Sequence, residues 1–266
     1  MKPALCTIAL ALLAAWPLRA SDYASELWKL ASSESAANVA KFIEASYAAN
    51  KSDPSYYAAS ANYWWKQAQE LSVSTQPAEP GGIMITDPET GNEVGSVSSA
   101  PLNPRYAANA IKLLRAGYKQ FPYRVDFGIA QANMLRATGK EKECVEVLKQ
   151  VLRNSTANPS ALRWEDGAAL PEPPGEFVPI LMQEYTWGYY ESDTPEGRRL
   201  GRTLCEAIIR AYPDHVYAYN VLGGIYKDEG DDAASRKYFA VAHEIAPDDQ
   251  IVTMNLANTY RRLGDT

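Results

Sequence analysis

Two sets of side chains in this sequence could do chemistry through their positions. The first is a recurring position held by Asn62, Asn133, Gly224 and Asn258, with Lys66, Arg136, Lys227 and Arg262 three or four residues behind it, and Asn220 is the amide of the repeat that carries the glycine. A carboxamide carries both donors and an acceptor, so amides repeated at one structural position can pair with the backbone of an extended chain. Cations beside them would hold carboxylates against an otherwise acidic protein. The second set is aromatic: Tyr56, Tyr57, Tyr63, Trp64 and Trp65, then Tyr185, Trp187, Tyr189 and Tyr190. Most such rings fill cores and interfaces. Rings left outside on a binding face stack on sugars, and Trp65, Trp187 and Tyr190 are the candidates for that role.

Catalysis nominates no residue. His215 and His243 are the two histidines, and no HExxH, CxxC, GxSxG or phosphate-loop pattern occurs. Gly223, Gly224 and Gly230 fall inside a helical pattern and at its turn, not after a strand as a nucleotide loop requires. Asp87, Glu89 and Glu93 match no EF-hand spacing and read as solvated turn carboxylates. The expectation is therefore a binding protein without catalytic residue, metal or cofactor. An enzyme would have to hide its site in the insertions, around Asp87 or Trp164, Glu165 and Asp166.

Of the 266 residues, 46% are hydrophobic and 22% charged, a globular composition. Residues 1–20 place Lys2 ahead of an apolar run from Ala4 to Trp16 and end at Ala20 before a polar stretch. That is the layout of a secretory signal peptide cleaved after Ala20, and the run falls short of the ~20 residues a spanning helix needs. Without Lys2 and Arg19, 26 basic residues become 24 against 32 acidic ones, a net charge of −8. Such a balance disfavours nucleic acid as a partner. A periplasmic or secreted protein with no membrane-spanning segment is expected. Cys6 leaves with the leader, and Cys144 and Cys205 fall on core positions rather than pairing as a disulfide.

The elements that would position these residues are helices in pairs. Tyr219, Leu222, Gly223 and Tyr226 lie on one helical face, and Gly230-Asp231 breaks the helix. Phe239 and Ala242 mark the next helix, and Pro247 closes the unit 34 residues after Pro213. The pattern restarts with Thr253, Leu256, Ala257, Tyr260 and Gly264. Upstream, Asp53-Pro54, Asn103-Pro104 and Thr194-Pro195 are helix starts, a capping side chain before a proline in the first turn. Small residues recur at one second-helix position, Ala110, Cys144, Gly201 and Ser235, where two helix backbones must approach closely.

A helix–turn–helix unit of this length resembles the tetratricopeptide repeat family. The resemblance implies an all-α, right-handed superhelix of paired helices. Residues 21–52 would be capping helices and 53–122 a first repeat interrupted by an inserted β-hairpin at 76–103. Repeats would follow at 123–156, 177–213 and 214–247, with a loop at 157–176 and a last first-type helix at 248–266. The hairpin reading rests on two β-prone runs in Ile83–Ser98 around a turn bearing Pro, Gly and Asn.

The family uses the concave wall of first helices for binding. There the amide set, its cations and Trp187 would hold a protein or extended peptide. The family's carboxylate clamp is absent, since Ser55, Asp126, Tyr217 and Ile251 occupy its lysine positions. An exported interaction module is the reading that follows. A polysaccharide-binding envelope protein and an immunity-type inhibitor of a secreted toxin are the alternatives.

Overall fold

The computed structural model describes residues 22–69, 71–74, 83–87, 90–99 and 101–264. The expected leader and Glu89 lie outside them. The chain divides into two units, Met1–Phe121 and Pro122–Thr266. Among the described residues there are eleven α-helices, and helical pairs dominate both units.

In the first unit α1 (Asp22–Ala31) and α2 (Ala36–Asn50) precede α3 (Pro54–Ala68). Asp53 starts α3 by accepting from the Ser55 N–H at 2.9 Å, with Pro54 in the first turn where no N–H is needed. The partner of α3 is α4 (Pro104–Gln120), capped in the same way by Asn103 accepting from Arg105 and Tyr106. These two helices pack closely together although more than thirty residues separate them. The Asn103 N–H donates to Ala68 O at 3.0 Å, so the insertion leaves and re-enters at one point. Closing even a long loop adds little cost under that condition.

Within the insertion, β1 (Leu71–Ser74), β2 (Ile83–Thr86) and β3 (Glu93–Ser99) form a three-stranded antiparallel sheet in the order β1-β3-β2. Periodicity had given no reason to expect β1. Asp87 closes the turn after β2, its Oδ1 accepting from the Thr90 N–H at 2.7 Å, which is work for a turn carboxylate.

The second unit contains α5 (Val125–Ala137), α6 (Glu141–Ala157), α7 (Pro174–Glu191), α8 (Pro195–Ala211), α9 (Val216–Asp228), α10 (Asp232–Ile245) and α11 (Gln250–Leu263). Three first-type helices pack on their own second helices: α5 on α6, α7 on α8, α9 on α10. Each second helix also packs on a neighbouring pair: α6 on α8, α8 on α9, α10 on α11. This alternation makes the unit a tetratricopeptide-like helical stack.

The close approach within a pair is visible at Gly223. A Cβ there would lie 2.6 Å from the Phe239 ring, and Ser235 Oγ donates to Gly223 O at 2.9 Å. Ala110, Cys144, Gly201 and Ser235, the small second-helix residues, are all buried. Cys144 and Cys205 are free thiols packed in this core. Burial raises both thiols above their ordinary range, Cys144 to about 11, so neither is a reactive thiolate.

The 157–176 segment is more tied down than its composition suggests. Arg163 donates its N–H to Tyr123 O at 2.9 Å and accepts from the Val125 N–H at 3.0 Å, a bridge that pins the segment to the start of α5. Leu162 is buried under it, and α7 begins at Pro174, three residues before the start read from the sequence.

Candidate functional site

Of the first-type helices of the second unit, α5, α9 and α11 carry the expected amides and α7 carries Trp187, and the side chains between them show how this wall is built. Asn133 on α5 accepts a short hydrogen bond from the Tyr185 hydroxyl of α7. Burial holds that phenol well above its ordinary pKa of 10, so it remains a donor. Arg136, one turn on, stacks over the Tyr185 ring at 5.5 Å and reaches Glu184 at 3.7 Å. Its guanidinium fills the space a side chain at Gly188 would need. The cation is therefore held flat against α7 and one-third exposed.

On the other flank of α7, Tyr190 covers Gly224 of α9, where a Cβ would press on the phenol at 3.3 Å. Burial, and then the bond its hydroxyl donates to Asp228, push Tyr190 up to about 12. Lys227 lies 3.4 Å from the same Asp228.

Between these flanks the open face of α7 presents Ile180, 55% exposed, and Trp187, 44% exposed, two turns apart. The Trp187 ring centroid lies 5.5 Å from that of Tyr190, tilted at 54°. An exposed tryptophan with a neighbouring ring and a cation on each side of its helix is the most ligand-like arrangement on this wall.

Further along, Asn220 of α9 accepts from Asn255 Nδ2 of α11 at 2.9 Å. Asn258 accepts a short bond from Arg261. Arg262 lies 2.9 Å from Asp232 as an ion pair out of line for a hydrogen bond.

In the first unit, Asn62 is half-buried and its amide makes no hydrogen bond among the described residues, while Lys66 is exposed with its ammonium 5.8 Å from the Trp28 ring. Trp65 overturns an expectation. It is 4% exposed and its indole N–H has no partner, so it cannot stack on a sugar. Its helix is covered by both α1 and α4, which leaves almost no free face on α3.

Sequence reasoning missed Gly188 and Asn255, and it placed Tyr185 among the aromatic residues without its bond to Asn133. The repeat spacing carries Asn220 to Met254, one short of Asn255. Asp193, left-handed at φ 46°, holds the middle of the α7–α8 turn, the place that Gly139 and Gly230 hold in the other two turns.

Near Trp164, buried Asp126 takes two hydrogen bonds from Arg124, 2.8 Å from Nε and 2.6 Å from Nη2. Burial raises Asp126 despite that guanidinium, and burial then Asp126 and Asp166 raise Glu165. Asp166 is left-handed at φ 56°. Among the described residues no cluster of His, Cys, Asp or Glu fits a metal ion, and no helix is long and apolar enough to cross a membrane.

No family model and no curated protein matches this chain. Among solved structures it is similar to MamA from Desulfovibrio magneticus RS-1, at 15% identity and a TM-score of 0.33, covering 60% of this chain and 77% of that one. It is also similar to human IFIT1, solved as a dimer with m7Gppp-AAAA, at 13% identity and a TM-score of 0.32. That match covers 91% of this chain but spans 46% of IFIT1. Likeness this weak carries no argument about ligands.

Proposed function

We propose that the chain is an exported helical-repeat interaction module, and that the first-helix wall of its second unit binds an extended segment of a protein partner. One observation carries the reading: Trp187 and Ile180 stand exposed on α7 while Arg136 and Lys227 flank them on α5 and α9. A folded protein gains nothing from exposing a tryptophan beside well-placed cations, whereas a buried aromatic anchor ringed by polar groups dominates binding energy. Export rests on the leader pattern of residues 1–20. N-terminal sequencing of the mature chain should begin at Ser21.

An array of short peptides tiled from envelope proteins, probed with the mature chain, tests the binding role. Array peptides should bind at micromolar strength, and Trp187→Ala should weaken the tightest at least tenfold, about 1.4 kcal/mol. Added salt should weaken binding further by screening Arg136 and Lys227. Indifference of every bound peptide to Trp187→Ala, or an array with no binder, would overturn the reading.

A glycan-binding role has the Trp187–Tyr190 ring pair in its favour. Salt-independent retention on a polysaccharide would select it. RNA is disfavoured by a net charge of −6. An immunity-type inhibitor is a special case of the protein-binding role, and a binding rather than catalytic protein is what all these readings share.

A further inference from the structure

The amides of the wall differ from a generic polar row because each has one end occupied from inside the protein. Asn133 Oδ1 is taken by the Tyr185 hydroxyl, Asn220 Oδ1 by Asn255, and Asn258 Oδ1 by Arg261. In every case the nitrogen end makes no hydrogen bond among the described residues, and none of the three is a buried orphan. Three NH2 groups therefore face solvent. Asn255 spends one of its two NH2 donors on Asn220.

We infer that Tyr185, Asn255 and Arg261 are positioning residues: by occupying the oxygens of Asn133, Asn220 and Asn258 they turn amide donors outward, so the bound segment meets the wall with its carbonyl edge. This rests on the reading that the wall binds an extended chain, and it adds a polarity to that reading. Arg261 is a donor only, which fixes the end of Asn258 that it occupies. The phenol of Tyr185, donating to Asn133 Oδ1, orients that amide in the same sense. An amide held in one orientation offers its donor without first giving up rotational freedom, so acceptors on the ligand gain and donors do not. A partner that presents N–H groups to these outward NH2 groups sets donor against donor, which costs it binding.

The test needs no natural ligand. Two probes of equal length are titrated into the 15N-labelled mature chain: a glycine oligomer, which has carbonyls and N–H groups, and a sarcosine oligomer, which has carbonyls alone. The side-chain NH2 resonances of Asn133, Asn220 and Asn258 should move alike with both. Movement with the glycine oligomer alone, or with neither, overturns the inference.

Tyr185→Phe keeps the ring and removes the hydroxyl. It should abolish the response of Asn133 while Asn220 and Asn258 respond as before. Arg261→Ala, a surface change, should do the same for Asn258 alone. On the tightest array peptide, Tyr185→Phe should cost roughly three- to tenfold in affinity, the range expected for one hydrogen bond. An unchanged Asn133 response in Tyr185→Phe counts against the positioning role. Amides that respond alike to both oligomers while the array yields no binder would sink the protein-binding role and leave the polarity intact.

Discussion

Helices α3 and α7 are the two most aromatic first-type helices, and they use their rings in opposite ways. On α3, Tyr56, Tyr57, Tyr63, Trp64 and Trp65 are all buried. Tyr56 alone touches the rings of Tyr23, Tyr47 and Tyr57 and donates to Ile43 O at 2.9 Å. On α7, Tyr185 and Tyr189 are buried, but Trp187 is 44% exposed. The two helices differ in what surrounds them. Cover from α1 on one side and α4 on the other closes α3, while α7 keeps an open face between α5 and α9. An aromatic run therefore says little about function until its cover is known, and the same residue type is core at 65 and surface at 187.

The largest effect that would sharpen this contrast is expected at Tyr56. Replacement by Ala removes four aromatic and polar contacts at once and should cost about 3–5 kcal/mol of unfolding free energy, read from urea denaturation. A loss below about 1 kcal/mol would mean the aromatic cluster is not a packed core. Of similar size is Arg124→Met, which strands the buried carboxylate of Asp126 at a cost of about 3–5 kcal/mol. The double change Arg124→Met with Asp126→Leu should recover most of it, because the pair contributes little once both charges are gone.

Gly223→Ala should cost about 1–3 kcal/mol, since its Cβ meets a fully buried Phe239 ring that has nowhere to go. The extra helix propensity of alanine, about 1 kcal/mol, offsets part of this, so a net stabilisation would show that α9 and α10 are not so close.

A smaller effect is expected from pH. Burial lowers His215 below its ordinary 6.5, and its Nε2 is buried without a partner. A depressed folded value means stability that is present above pH 6.5 and lost as pH falls through the folded pKa. Urea midpoints should therefore drop below pH 6.5, and His215→Phe should flatten that drop. The smallest change in stability is expected from Trp187→Ala, within about 0.5 kcal/mol, because the ring is half in solvent already.

Much of the architecture was legible because short-range chemistry writes it. A capping side chain before proline at 53, 103 and 194 fixes where three helices begin, and each cap bond is present. Small residues at 110, 144, 201 and 235 marked where helices would meet, since only small side chains allow that distance. The site was less legible. Asn133 and Asn258 could be named from their register, but not that Tyr185 occupies the oxygen of Asn133 or Asn255 that of Asn220, because those contacts cross between helices distant in the sequence. Trp65 was misread for a related reason: burial depends on neighbours distant in sequence.

The open face of α7 is tested most directly by placing a photoreactive phenylalanine analogue at 187 and, separately, at Glu206, which is exposed on the second helix α8. After irradiation in the cell envelope, position 187 should join one partner protein, competed away by the tightest array peptide, and position 206 should not. Equal labelling from both positions, or labelling at 187 that no peptide competes with, would contradict the account.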